Sequence, residues 1–249
     1  MVGAALVLVG MAPLVSASDV AAHSVRVRTP SAAVAPQKLI VGKSSQGRAI
    51  VAVRQGDPRA SRVLLVVGQM HGDERRAPLV VDEVRRLTPP PGVAIWTIRT
   101  LNPDGAAHRT RRNARDVDLN RNFPYRWSSH VVRPGPRAAS ERETRAIMTF
   151  MTAIRPDAMV SFHQPFGLIE AGAGKAKRWG TFLAARTGVP VGYASCGGPC
   201  AGTMTSWFNA TLPGWALTFE YGRNPSNALL KKTARALVNE LAPAIEDVS

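Results

Sequence analysis

Short apolar runs and stretches of helical period alternate along this chain. Val63 to Gly68 is unbroken, rich in β-branched residues, and leads straight into Gln69-Met70-His71-Gly72-Asp73-Glu74. A run that is short, apolar and not alternating predicts a strand buried on both faces. Ala158 to His163 (AMVSFH) and Leu217 to Gly222 (LTFEYG) have the same character, and Val93 to Ile98 is a further strand. Lys38 to Val41 and Ala49 to Val53 flank a glycine-bearing loop and predict a hairpin. Helical spacing appears at Ala77 to Leu87, stopped by Pro89-Pro90-Pro91, and at Glu141 to Ile154, where Ser140 and Glu143 form a capping-box pattern. It returns at Lys175 to Thr187, with Trp179, Phe182 and Leu183 inward, and from about Ser226 to Ala244. Asn102 to Gly105 predicts a turn, and Tyr193 to Trp215 reads as glycine-rich and irregular. Strands alternating with helices point to an α/β layered fold.

The ends of these runs carry the candidate chemistry. His71 and Glu74 stand three apart on a turn that Gly72 allows, just past the carboxyl end of a buried strand, where open α/β sheets keep their ligands. An imidazole and a carboxylate so placed can reach one cation, and zinc accepts mixed nitrogen and oxygen ligands while keeping one position open. Alone, the pair reads as a polar turn after a core strand, and partners elsewhere are needed to favour a site. His163, ending another run, supplies a third ligand, and Glu220, on a third run, stands as a non-ligating general base. Between His108 and Pro124 the chain is polar and basic, HRTRRNARDVDLNRNFP. By charge alone this is a solvated loop. A nucleic-acid patch would bring interleaved aromatics or a reading helix, and neither is present. Its place after the Val93 strand, on the edge that carries His71, favours forked donors aimed at an anion. His23, His108 and His130 have no such company and read as surface residues.

Composition bounds the setting. The 249 residues suffice for one sizeable domain with a real core, and 45% hydrophobic with 20% charged residues is ordinary for a soluble globular protein. The charge is less ordinary, since 32 Lys plus Arg against 17 Asp plus Glu leave a net +15. Such a surplus suits an anionic neighbour, be it nucleic acid, an anionic membrane or an acidic cell wall. Residues 1–18 are uncharged and apolar, with Val15-Ser16-Ala17 as a small-residue cleavage site, so they read as a secretory signal peptide; the run is too short to span a bilayer. Residues 19–36 read as a flexible lead, and 37–249 as the single catalytic domain. Cys196 and Cys200 are the only cysteines, and in an exported chain such a close pair predicts a small disulfide.

With HGDE at 71–74, TRRNARDVDLNRNFP at 110–124, SFH at 161–163 and LTFEYG at 217–222, the chain resembles the zinc carboxypeptidases of the M14 type, and among them the short bacterial murein peptide amidases. The resemblance runs from Lys38 to the C-terminus with its motifs in the family's order. It implies a three-layer α/β/α fold around a central mixed eight-stranded sheet. It also implies one zinc ion held by His71, Glu74 and His163, with Glu220 activating a water, Arg111 polarising the scissile carbonyl, and Asn120 with Arg121 gripping a substrate carboxylate. Two departures stand out. Asp73 occupies the place of an arginine found in the digestive enzymes, and their mobile tyrosine has no match here: Tyr193 is nearest but lacks the motif. The segment TMTSWF at 203–208 is more similar to the bacterial enzymes, which lack that tyrosine.

The resulting expectation is a secreted or periplasmic metallopeptidase acting on a cell-wall peptide, such as the D-glutamyl-diaminopimelate link, or removing a C-terminal residue. Its partners would be that peptide and an anionic wall polymer, with no specific nucleic acid and no transmembrane segment in the mature chain. An aspartoacylase-like deacylase of N-acyl amino acids is a second reading, which the signal sequence disfavours. A non-catalytic binder of wall polymer or nucleic acid is a third, and the intact Glu220 argues against it.

Overall fold

In a computed structural model, which describes Met1 and residues 35–194 and 200–245, the run from Arg62 to Val67 forms the strand β3 and is buried on both faces. Alternate residues feed two cores: Leu64 and Val66 pack on one side of the sheet, Leu65 and Val67 on the other. The remaining strands are β1 (Gln37–Lys43), β2 (Ala49–Gly56), β4 (Val93–Ile98), β5 (Ala158–His163), β6 (Phe166–Glu170) and β7 (Trp215–Gly222). They lie in the order β1-β2-β4-β3-β5-β7-β6. The four central strands, β4, β3, β5 and β7, run parallel, while β1, β2 and β6 are antiparallel to their neighbours. Parallel strands in register bring all their carboxyl ends to one edge, and the residues that close these strands carry the site.

Helices cover both faces. On one side lie α1 (Leu79–Arg85), α4 (Gly174–Thr187) and α6 (Asn227–Arg235), the last continuing through a wider π turn at Ala236–Leu241 into α7 (Ala242–Ala244). On the other lie α3 (Arg142–Ile154) and α5 (Met204–Thr211). The short α2 (Pro103–His108) follows β4. The architecture is the expected three-layer α/β/α arrangement.

Several details differ from expectation. The sheet has seven strands among the described residues, not eight. Val191, beside β6, makes a single parallel bridge to Ile169, and on the Gly167 side the ladder cannot extend because Pro190 has no N–H. The capping box at Ser140 and Glu143 does not form: Glu141 is the N-cap residue, without a side-chain cap bond. Glu143 is instead buried, accepting from the Ser45 amide at 3.0 Å and tying the β1–β2 hairpin loop to α3. The turn at Asn102 continues into α2, because the Asn102 side chain accepts from the Gly105 amide and caps it. Within the stretch expected to be irregular, Thr203 caps α5 by accepting from the Ser206 amide. The expected signal segment and Cys196, with its pairing to Cys200, lie outside the described residues.

Candidate active site

The turn after β3 is set by a close approach. Gly72 has no left-handed φ, yet an added Cβ would lie 1.9 Å from the Gly105 carbonyl carbon, so only a glycine lets the turn pack on α2. The Glu74 amide donates to the His71 carbonyl, and the Gln69 side chain donates to the carbonyls of Gly72 and Glu74. This folds His71 and Glu74 onto the same side. From β5 comes His163, paired in register with Glu220 of β7. On β5 and β7, Phe162 and Phe219 enter the core of the α1, α4 and α6 side, so their neighbours His163 and Glu220 turn to the opposite face.

There the three expected ligands meet. His71 Nδ1 lies 2.6 Å from Glu74 Oε1, His163 Nδ1 lies 3.1 Å from Glu74 Oε2, and the two Nδ1 atoms are 3.2 Å apart. All three residues are buried, with ligand atoms within 4.8 Å of one another. The outer nitrogens are engaged too: His71 Nε2 meets Asp118 Oδ1 at 3.0 Å and His163 Nε2 meets Ser161 Oγ at 3.2 Å. A proton on each Nε2 would donate to those oxygens and leave both Nδ1 lone pairs facing inward, the arrangement a metal-binding histidine needs. Tetrahedral ligands ~2.1 Å from an ion stand roughly 3.4 Å apart, so the 3.1 and 3.2 Å separations come within a few tenths of an ångström of that spacing, and the His71–Glu74 edge, at 2.6 Å, is clearly shorter. Glu220 Oε2 is buried with no hydrogen-bond partner, and Glu74 Oε2 has only its close contact with His163 Nδ1, as befits oxygens reserved for something else.

The electrostatics follow from that crowding. Burial alone would strip His71 of its charge, but the Glu74 and Asp118 carboxylates together hold its pKa up at about 9 without a metal. Burial likewise opposes charge on Glu74, and the two imidazoles outweigh it, bringing Glu74 down to about 2. Asp118 is held well below the ordinary carboxylate range by His71 and by the arginines at 111 and 121, against its own burial. Glu220 goes the other way: burial pushes its carboxyl up and Glu74 adds to the push, while the imidazoles and the Phe166 amide oppose it.

Asp118 is the residue of this site that sequence reasoning missed. It makes no direct ion pair with Arg121. Instead, Oδ1 takes His71 Nε2 and the Asn120 amide, while Oδ2 takes Arg111 Nε at 3.2 Å. One carboxylate thereby orients a ligand imidazole, caps the 3-10 turn Leu119–Arg121 and anchors Arg111. The available signal was its place in DLNRNFP, since a ligating histidine usually leans on a carboxylate through its far nitrogen.

The basic loop sorts itself out by partner. Arg112 pairs with Asp116 and Arg115 with Glu141, so they are structural, whereas Arg111 and Arg121 line the cleft. Arg111 also stands 3.6 Å from Glu74. Asn120 Oδ1 accepts from the Met204 amide, which leaves the Nδ2 donor for a ligand. Arg121 is 9% exposed and donates to the Asn120 carbonyl. Gly202, at φ 65°, lies against the Arg121 carbonyl and accepts from the Phe123 amide, so the chain before α5 pins the loop from the other side. His108 and His130 are exposed as expected, though His130 sits on the cleft wall. The cleft that all these residues share has a volume of about 570 Å³.

A sequence profile of the zinc carboxypeptidase family, Peptidase M14, matches residues 92–169, the span from β4 to β6. Murein peptide amidase A of Escherichia coli K12 is 32% identical over 201 residues, covering 74% of this chain and 81% of that protein. The chain belongs to the M14 zinc carboxypeptidase family. It is a hydrolase of the metallocarboxypeptidase type, similar to the murein peptide amidases. The crystal structure of the murein-tripeptide amidase from E. coli O157 superposes with a TM-score of 0.67 at 28% identity, over 85% of this chain and 94% of that one. Carboxypeptidase A from Helicoverpa armigera shares the fold, with a TM-score of 0.64 at 19% identity over 80% of this chain and 65% of its own. As zinc is the family's metal, the converging His71, Glu74 and His163 are the residues of this M14 member that fit it.

Proposed function

We propose that the protein is an exported zinc amidase that hydrolyses an amide bond in a cell-wall peptide, such as the link between D-glutamate and diaminopimelate, or one that frees a C-terminal residue. The observation that carries the reading is Glu220, with one buried oxygen unpartnered, standing in register beside a His-Glu-His group whose ligand atoms converge. Likeness to murein peptide amidases supports a wall peptide, and the net charge of +15 suits an anionic wall polymer. Residues 1–18 fit a signal peptide and 19–36 a lead before the catalytic domain at 37–249, and a Cys196–Cys200 disulfide fits an oxidising compartment.

His71, Glu74 and His163 would hold one zinc ion per chain. Zinc supplies a Lewis acid that acidifies water and draws charge from a carbonyl. Glu220 accepts the proton of the attacking water as the new C–O bond forms, then delivers it to the nitrogen as the C–N bond breaks. Its burial suits this role, since it raises the carboxyl above its ordinary range and makes it the better proton acceptor. Arg111, fixed by Asp118, meets charge that develops on the carbonyl oxygen. The Asn120 amide and the Arg121 guanidinium take the carboxylate of the leaving residue, orienting the scissile amide toward Glu220. Digestion of purified muropeptides followed by mass analysis tests the reading. It predicts fragments cut at the amide before the diamino acid, lost on chelation and regained with zinc. Intact muropeptides with zinc-loaded protein contradict it.

A further inference from the structure

The inner wall of the cleft holds a carboxylate that neither the metal nor the proposed chemistry uses. Glu170 pairs with Thr218 in the β6–β7 ladder, two residues back from Glu220. Ile169 enters the core beneath the sheet, so Glu170 turns up on the same face as Glu220 and Thr218 and lines the cleft. It is half-buried. Its neighbours on that wall are already satisfied. Thr205 and Thr218 share a hydroxyl contact at 2.9 Å, and the Asn209 amide is committed at both ends to the backbone of Ala216. Glu170 differs: among the described residues its carboxylate has no hydrogen bond or ion pair, and it feels His163 and Arg121 only at a distance. A half-buried carboxylate without a cation is costly unless a ligand completes it.

Arg121 marks which part of a substrate would reach it. In the proposed reading, on which this inference rests, Arg121 and Asn120 grip the carboxylate of the leaving residue. Glu170 and Arg121 line the same cleft, so the side chain of a residue held at Arg121 has Glu170 on the wall before it. We propose that Glu170 is a specificity-determining residue that takes the ammonium group of the leaving residue's side chain, selecting a diamino or basic amino acid over an apolar one. Opposite charges at Arg121 and Glu170 then read the leaving residue at two points, and a residue bearing only a carboxylate satisfies one of them.

The test compares γ-D-glutamyl-lysine with γ-D-glutamyl-norleucine, which differ in the terminal ammonium, on zinc-loaded wild type and Glu170→Gln. Wild type should favour lysine by roughly 10- to 100-fold in kcat/KM, the effect of one charge-assisted hydrogen bond. Glu170→Gln should bring the two within about 3-fold while keeping its turnover of the norleucine peptide. A lysine preference that survives the substitution, or an equal loss on both peptides, overturns the assignment while leaving the peptidase reading intact. If wild type cuts neither peptide, that reading fails, and calorimetric binding of free lysine and norleucine to the same protein decides the assignment. Lysine bound ~10-fold tighter in wild type alone supports it; equal binding overturns it. The wild-type binding ratio also serves if Glu170→Gln does not fold.

Discussion

Glu220 stands directly opposite His163 in the parallel β5–β7 ladder, so one strand pairing delivers a candidate metal ligand and a candidate base to the same point. The two roles should separate on mutation. Glu220→Gln keeps the shape and the ligand set, so zinc content should stay at that of wild type while kcat falls ~100- to 10,000-fold. Metal analysis beside steady-state kinetics checks this, and a variant that retains turnover removes the base assignment.

Asp118 touches no ligand atom of the metal group, yet three elements of the site lean on it. Asp118→Ala should weaken zinc binding ~10- to 100-fold by freeing the far side of the His71 ring. It should also release Arg111, so kcat should stay depressed even at saturating zinc. Competition against a zinc-binding dye measures the first effect. Unchanged affinity would mean that His71 is held by other means.

Arg121 should matter in proportion to the charge it meets. Arg121→Ala should raise KM for a substrate with a free carboxylate by ~10-fold or more, and change little for the same substrate capped as a carboxamide. Equal effects on both would place the carboxylate anchor elsewhere.

The crowding of charge around His71 gives the zinc-free protein a defined pH response. The pKa of His71 is raised from 6.5 to about 9, so its contribution is complete below pH 6.5 and is lost as pH rises through about 9. Glu74 is lowered from 4.5 to about 2, so its contribution is complete above pH 4.5 and is lost as pH falls through about 2. On these groups the zinc-free protein is best stabilised between pH 4.5 and 6.5. Zinc must displace the His71 proton, so the zinc-induced rise in Tm should be larger at pH 9 than at pH 6.5. Thermal melts with and without zinc across that range check the sign.

Gly72 tests the packing beneath the site. A Cβ there meets three backbone atoms of the Gly105–Ala106 peptide, the Gly105 carbon and oxygen and the Ala106 nitrogen, at 1.9, 2.2 and 2.4 Å. Gly72→Ala should therefore destabilise by about 1–3 kcal/mol or more and loosen the ligand turn, lowering both Tm and zinc affinity. A variant with wild-type Tm would show that α2 can yield.

The parts legible in the sequence were those with a strong local pattern. The buried strands β3, β5 and β7 are unbroken apolar runs, and the residues at their ends declare themselves because chemistry-bearing side chains there have no core to join. Strand β6 was missed because five residues with a glycine among them carry no period, and its strand character comes from pairing with β7. Helix α5 was hidden by the glycines before it, although Thr203 was its cap. The buried Glu143 mimicked a capping box locally while serving a loop about a hundred residues away. Asp118 and Glu170 share that obscurity: each is one acidic residue in a polar segment until the fold sets it against His71 or into the cleft wall.

Anomalous diffraction at the zinc edge, from crystals of the purified protein grown without chelator, tests the central claim most directly. The account predicts one peak per chain, bounded by His71 Nδ1, His163 Nδ1 and the Glu74 carboxylate, with Glu220 beside it and not bonded to it. A peak on other residues, or zinc-supplemented crystals with no peak between these three, would contradict it.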